Sequence, residues 1–179
     1  NHEIEKWDEN ATSTVWVRVP SVASTTSDYV DMFYGNAGVV DGQASSSVWN
    51  SNYKLVAHFA TTTLFDSTLN NPTITATGTT ATSSNAIAGL GRDFDGANDV
   101  VSFSTGTAIQ NISNKTISIW SNIDTFPQTN NDIVTKKDNS AAWEFRVNNS
   151  NILRFSQKFD TTDGPWTATS GVTMAGNRF

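Results

Sequence analysis

The fold of this chain is indicated most clearly by residues 91–103, GRDFDGANDVVSF. The dipeptide Asp95-Gly96 is typical of a tight turn, because glycine accepts a positive φ and aspartate bonds its own backbone. After the turn, Val101 and Phe103 alternate with a serine, as in a strand with one buried face. The stretch therefore predicts a β-hairpin.

The composition favours the same class of structure throughout the chain. The 179 residues are 37% hydrophobic, with six Trp and ten Phe that lie mostly in alternating runs. Abundant Thr, Ser and Asn favour strands and turns, and no window shows a convincing helical period. The sequence therefore predicts an all-β protein with many short strands.

Further alternating stretches separated by polar turns suggest an antiparallel sandwich or jelly roll. The predicted strands cover residues 14–20, 28–34, 54–60, 73–77, 115–121, 142–147 and 152–157. A polar stretch at residues 50–52 predicts a boundary between a small β module, residues 1–50, and a jelly roll, residues 51–179. The final residues, 176–179, look like the start of another strand. We therefore expect a fragment of a longer protein, with a jelly roll that lacks its carboxy-terminal strands.

The charge of the chain argues against two classes of partner. Its net charge is −6, and no cluster of Lys and Arg stands out. Nucleic acids and anionic membrane surfaces both require concentrated positive charge, so neither is expected as a partner. No apolar run is long enough to suggest membrane insertion.

From about Tyr53 onward the sequence resembles the laminin-G-like and concanavalin-A-like jelly rolls. The resemblance rests on the order of several motifs: residues 55–59 (LVAHF), 66–67 (DS), 94–96 (FDG), 99–101 (DVV), 116–120 (TISIW), 133–136 (IVTK) and 143–147 (WEFRV). It implies a lectin-like or glucanase-like β-sandwich.

Residues 4–50 resemble a domain of unknown function that often precedes such jelly rolls in large prokaryotic surface proteins. The matching motifs are residues 16–20 (WVRVP), 32–36 (MFYGN) and 48–49 (VW). Together the two resemblances imply an extracellular, cell-surface or virion-surface location. They favour glycans or surface polysaccharide as partners.

We expect a non-catalytic module for carbohydrate binding or adhesion within a larger surface or secreted protein. The alternative is a structural subunit of a virion, tail fibre or surface filament, which would contact copies of itself or neighbouring domains. Glycosidases need two carboxylates that flank the scissile bond. Glu144 stands alone on its predicted strand, and nothing around the alternating pair Glu3 and Glu5 predicts a cleft. His58, between two apolar residues, is interpreted as a packing residue.

Two kinds of binding site are predicted. Trp166 follows a Gly-Pro turn and is a candidate sugar platform, because an exposed ring stacks on the apolar face of a pyranose; the alternative is a ring folded over a sheet edge. Asp66, Asn70, Asp95 and Asp99 are candidate calcium ligands in oxygen-rich loops. Carboxylates clustered without a cation should raise each other's pKa, and a bound ion would relieve that repulsion. The alternative is a solvated loop.

Overall fold

The computed structural model describes residues 1–24, 27–78, 81–83, 86–104, 109, 112, 114–123, 131–136, 141–159 and 166–173. The regular elements in these ranges are ten strands and one four-residue helix, so the predicted all-β class is confirmed. The chain divides into two compact units, Asn1–Ile109 and Gln110–Phe179. No helix in the described ranges is long and apolar enough to cross a membrane.

The first unit consists of three two-stranded antiparallel sheets and the short helix. Its elements are β1 (His2–Lys6), β2 (Thr14–Val17), α1 (Ser45–Val48), β3 (Ile74–Thr77), β4 (Ala81–Ser83), β5 (Gly91–Asp93) and β6 (Val100–Phe103). Strand β1 pairs with β2, β3 with β6, and β4 with β5. The start of the helix is tied to β1 by a hydrogen bond from the Ala44 N–H to the His2 carbonyl, 3.0 Å long.

The turn predicted at Asp95-Gly96 is present, but the hairpin predicted around it is wrong. Gly96 has a φ of 76°, as the turn requires. The flanking strands β5 and β6 pair with β4 and β3, not with each other. The connecting loop is closed by its own side chains instead. The Asp95 carboxylate accepts the Ala97 N–H at 2.8 Å, and the Asp99 carboxylate accepts the Asp95 N–H at 3.2 Å.

Three of the predicted strands, at residues 28–34, 54–60 and 115–121, are not strands in the structure. In the second, the Val56 N–H is bonded by the Asp66 carboxylate, and Phe59 takes a φ of 58°, which breaks the extended backbone. In the first and third, the described residues include no ladder partner, and large side chains face solvent. Phe33 is 93% exposed and Trp120 is 70% exposed.

The second unit contains one four-stranded antiparallel sheet. Strands β7 (Asn131–Lys136), β8 (Ala141–Val147), β9 (Ile152–Phe159) and β10 (Trp166–Thr173) lie in the order β10-β9-β8-β7. The predicted hairpin between β8 and β9 is confirmed. The buried Asn148 side chain closes it by accepting the N–H groups of Ser150 and Ile152, at 3.0 and 2.9 Å, and Asn151 adopts a φ of 60°.

Polar groups dominate the buried positions of the described residues. Val147, 1% exposed, is the single fully buried hydrophobic side chain among them. In the first unit the buried residues are Glu3, Asp66, Ser67 and Thr68. Buried polar groups are costly unless they are hydrogen-bonded, so the first unit depends on the partners of these side chains. The jelly-roll sandwich and the boundary near residue 50 stay predictions.

Candidate functional site

The most concentrated group of chemically active side chains lies in the first unit. It joins two carboxylates, an imidazole, three aromatic rings and a hydroxyl from five separate stretches of sequence. We call it the aromatic–carboxylate cluster; its members are Glu3, Glu5, Trp16, Trp49, Tyr53, His58 and Ser67.

Glu3 is the most deeply buried acidic residue of the cluster, with 4% of its surface exposed. Its Oε2 accepts a hydrogen bond from the indole Nε1 of Trp49 at 2.6 Å. Its Oε1 accepts the Ser67 hydroxyl at 2.5 Å. Both oxygens therefore have a donor, which is how a protein offsets the cost of a buried carboxylate.

The second carboxylate faces the same group from a position two residues further along β1. Glu5 Oε2 accepts the indole Nε1 of Trp16 at 2.6 Å. The β1–β2 register shifts between Ile4 and Lys6, so Glu5 is the extra residue of a β-bulge. Bulges re-aim side chains, and here both glutamates contact the His58 ring, so they share one face of the sheet.

His58 lies between the two carboxylates. Its Nε2 is 3.4 Å from Glu3 Oε2, and its Nδ1 is 3.5 Å from Glu5 Oε2. The side chain is 9% exposed, and Nε2 is buried without a hydrogen bond in the described part of the chain. Both nitrogens are donors in the imidazolium form of the ring, and each nitrogen of His58 faces a carboxylate.

Aromatic rings enclose this polar centre. Trp16 stacks on His58 with ring centroids 5.3 Å apart and an interplanar angle of 27°. Trp49 contacts Trp16 at 5.3 Å and His58 at 5.6 Å. Tyr53 meets Trp49 edge-on at 5.0 Å and 68°, and it is 47% exposed. The rings of Trp49 and Tyr53 therefore form a corner that is open to solvent on the tyrosine side.

Local sequence places each member of the cluster. The pairing of β2 with β1 places Trp16 directly opposite Glu3. Trp49 comes immediately after α1 and ends the helix with an extended backbone. Ser67 is held by a hydrogen bond from its N–H to the Val56 carbonyl, 2.9 Å long. This bond ties the loop after Asp66 to the stretch that carries His58.

Asp66 and Asn70, two of the predicted calcium ligands, make hydrogen bonds within the protein. Asp66 is buried, and its carboxylate accepts the N–H of Val56 at 2.8 Å and the hydroxyl of Thr68 at 2.5 Å. The Asn70 side-chain N–H group donates to the Lys54 carbonyl at 3.0 Å. In this arrangement both residues connect the loop to the preceding stretch.

The other two predicted ligands, Asp95 and Asp99, bond the loop between β5 and β6. The predicted mutual rise in pKa is wrong for Asp95. Hydrogen bonds from the backbone N–H groups of Ala97 and Asn98 hold its pKa below the ordinary value of 3.8. Within the described residues, no group of three or more His, Cys, Asp or Glu side chains is arranged to hold a metal ion. The four-residue calcium site stays a prediction.

Trp166 is the first residue of β10, paired in register with Gln157, and residues 163–165 of its predicted turn lie outside the described residues. The structure does not describe the Trp166 side chain, so its role as a sugar platform stays a prediction.

Glu144 lies on β8, where its carboxylate contacts the Arg146 guanidinium.

Comparison with known families gives a match for the amino-terminal part of the chain. Residues 1–77 match the family model of a domain of unknown function, DUF2341. The match confirms the predicted resemblance of the amino-terminal part to a domain of unknown function, and it covers every residue of the aromatic–carboxylate cluster. No curated protein and no solved structure matches the chain.

Proposed function

We propose that the chain is a non-catalytic, lectin-like module that binds carbohydrate within a larger extracellular surface or secreted protein. The observation that carries the proposal is the corner formed by Trp49 and Tyr53 beside the carboxylates of Glu3 and Glu5. The sequence resemblance of residues 53–179 to laminin-G-like jelly rolls supports the same class of function.

A sugar ring presents two kinds of surface, and the corner offers a partner for each. Its C–H face stacks on an aromatic ring, and its hydroxyl groups hydrogen-bond polar groups such as the hydroxyl of a tyrosine. The half-exposed Tyr53 ring supplies the accessible face. The carboxylates of Glu3 and Glu5, whose side chains are 5% and 3% exposed, bond the indoles of Trp49 and Trp16 and so hold the rings in place.

In this proposal the two glutamates hold the aromatic rings of the cluster in position. Both oxygens of Glu3 already accept donors of the protein, and Glu5 accepts an indole N–H. A glycosidase instead uses two carboxyl groups that flank the scissile bond, one of which delivers a proton. Release of reducing ends from a polysaccharide panel, lost in Glu3→Gln, would contradict the non-catalytic assignment.

The test of carbohydrate binding is a glycan array probed with the whole chain and two tyrosine variants. Tyr53→Ala removes the exposed ring of the corner, and we expect the binding signal to be lost. Tyr29→Ala is the matched control, because Tyr29 is exposed and lies outside the cluster. Equal signals for Tyr53→Ala and the control would contradict the proposed site.

A second candidate is a structural subunit that assembles with copies of itself. It is favoured by the stretch at residues 29–34, where Tyr29 and Phe33 are 83% and 93% exposed and Val30, Met32 and Tyr34 also face solvent. Exposed apolar patches commonly mark interaction surfaces. Light scattering after size-exclusion chromatography separates the candidates. A mass that grows with concentration and returns to monomer in Phe33→Ser would support assembly.

Calcium remains part of the proposal as a ligand of the loop that carries Asp95 and Asp99. Oxygen-rich loops at the surface suit this cation. Thermal melting with calcium and with a chelator is the test. A calcium-dependent rise in midpoint should vanish in the Asp95→Ala, Asp99→Ala double variant, and identical midpoints in the wild-type chain would exclude the site.

A further inference from the structure

Two arginines of the second unit lie directly opposite each other on neighbouring strands. Arg146 of β8 is paired in register with Arg154 of β9, and Asp132 of β7 is the partner of Arg146 on its other side. Side chains paired in this way point to the same face of the sheet, with Cβ atoms about 5 Å apart. Like charges at this separation destabilise a sheet unless other charges offset them.

The nearby carboxylates offset only one of the two arginines. Arg146 Nε lies 3.5 Å from Asp132 Oδ1, and its Nη2 contacts Glu144 Oε2. Arg154 forms no ion pair with the described residues, and its Nε is buried without a hydrogen bond. The Nε of Arg146 is likewise buried without a hydrogen bond, so the two guanidinium groups differ in their charge pairing. Arg146 has two carboxylate partners, and Arg154 has none among the described residues.

We propose that Arg154, with Arg146 beside it, binds an oxyanion group of an acidic polysaccharide. A carboxylate or sulfate matches the planar fork of a guanidinium, which donates two parallel N–H bonds to such groups. The oxyanion would offset the charge of Arg154, which no carboxylate of the described residues pairs.

The assignment of the oxyanion to a glycan rests on the proposed carbohydrate-binding function, whereas the oxyanion site itself does not. The residues that form it belong only to the second unit, so its failure can be separated from a failure of the Trp49–Tyr53 corner. Tyr53→Ala tests the corner, and Arg154 variants test the oxyanion site.

The experiment is isothermal titration of the whole chain with four probes: oligogalacturonate, a sulfated oligosaccharide, a neutral oligosaccharide and inorganic sulfate. We expect the two acidic oligosaccharides to bind more tightly than the neutral one, because the neutral one has no oxyanion for Arg154 to bind. Arg154→Gln should weaken acidic binding by roughly tenfold to a hundredfold, the usual effect of losing a hydrogen bond to a charged group. Binding of inorganic sulfate alone, with the same Arg154 dependence, would assign the site to free oxyanions and overturn the glycan assignment.

Three further variants keep the result decisive. Arg154→Lys preserves the charge but removes the fork, so it should lose affinity although less than Arg154→Gln does. Glu144→Gln releases Arg146 from one carboxylate and should tighten acidic binding by about twofold to fivefold. Arg18→Gln removes the same charge from the first unit, where its guanidinium donates to the Ser47 carbonyl, and should leave binding unchanged.

Circular dichroism and thermal melting show whether each variant is folded. If Arg154→Gln does not fold, Arg154→Lys and Glu144→Gln decide the question, because they predict opposite changes in affinity. The proposal is overturned if folded Arg154 variants bind acidic oligosaccharides as tightly as the wild type does. Equal losses in Arg18→Gln and Arg154→Gln would also overturn it, because they would show an effect of overall charge.

Discussion

Replacing Glu3 by glutamine tests whether the aromatic–carboxylate cluster holds the first unit together. The substitution keeps the size of the side chain and removes its charge. Glu3 accepts two short hydrogen bonds, from the Trp49 indole at 2.6 Å and from the Ser67 hydroxyl at 2.5 Å. In Glu3→Gln the amide oxygen can face the indole, and the Ser67 hydroxyl can turn to accept from the amide N–H.

Both bonds would then join neutral groups, and one of the two carboxylates next to His58 would be gone. A hydrogen bond to a charged group is worth about 1.5–3 kcal/mol and a neutral one about 0.5–1.5 kcal/mol, so two bonds lose about 2–3 kcal/mol. For a unit of 109 residues, with an unfolding entropy of about 2.1 cal/mol/K per residue, that loss lowers the melting midpoint by about 9–13 °C.

The assay is thermal unfolding followed by circular dichroism and by tryptophan fluorescence. Glu9→Gln is the matched control, because Glu9 is an exposed glutamate of the same amino-terminal stretch. Its free energy of unfolding should change by less than about 0.5 kcal/mol. If Glu3→Gln melts within a degree of the wild type, the cluster does not stabilise the unit and the reasoning is refuted.

Three other predictions concern the two units separately. Gly78→Ala should destabilise the chain by about 1–3 kcal/mol in urea unfolding, because Gly78 has a φ of 89° and an added Cβ would lie 2.9 Å from Asp99 Cα. Gly35 has a φ of 81° with open space around it, so Gly35→Ala measures the backbone part of that cost alone. Val147→Ala should cost about 1.5–3 kcal/mol, whereas the exposed Val39→Ala should stay within about 0.5 kcal/mol, and equal urea midpoints would contradict the burial of Val147. Asp95 should titrate with a pKa below 3.8 in a carboxyl NMR experiment, since backbone N–H groups lower its pKa. Its contribution to stability is complete above pH 3.8 and is lost as the pH falls through the folded pKa. A titration midpoint at or above 3.8 would be inconsistent with the hydrogen bonds of the loop.

The sequence predicted those parts of the fold that depend on local chemistry. Alternation predicted the strands β8 and β9, and the Asn-rich turn between them predicted their hairpin, because both signals lie within a few residues of the bonds they form. The turn at Gly96 follows from the conformational freedom of glycine. Alternation failed at residues 28–34 and 115–121, because a strand also needs a ladder partner, which the local pattern does not specify.

The candidate site depends on contacts between distant residues, and most of it was not predicted. Glu3 and Ser67 are 64 positions apart, and Trp49 is 46 positions from Glu3. The one signal in the sequence that pointed to this site was the alternation of Glu3 with Glu5, which places both carboxylates on one face of a strand. His58 was interpreted as a packing residue, and it does pack against Trp16, but its two nitrogens also face both carboxylates.

The central claim is that the aromatic–carboxylate cluster binds carbohydrate, and the indole N–H signals of the six tryptophans test it most directly. The measurement is a nitrogen–proton NMR titration of the chain with a glycan selected on the array, with signals assigned through Trp49→Phe and Trp120→Phe. Our account predicts that the Trp49 indole signal shifts and saturates with the affinity measured by calorimetry, because its N–H is bonded to Glu3 beside the Tyr53 ring. The exposed Trp120 indole should not move. Saturable glycan binding that leaves the Trp49 signal unchanged would contradict the account.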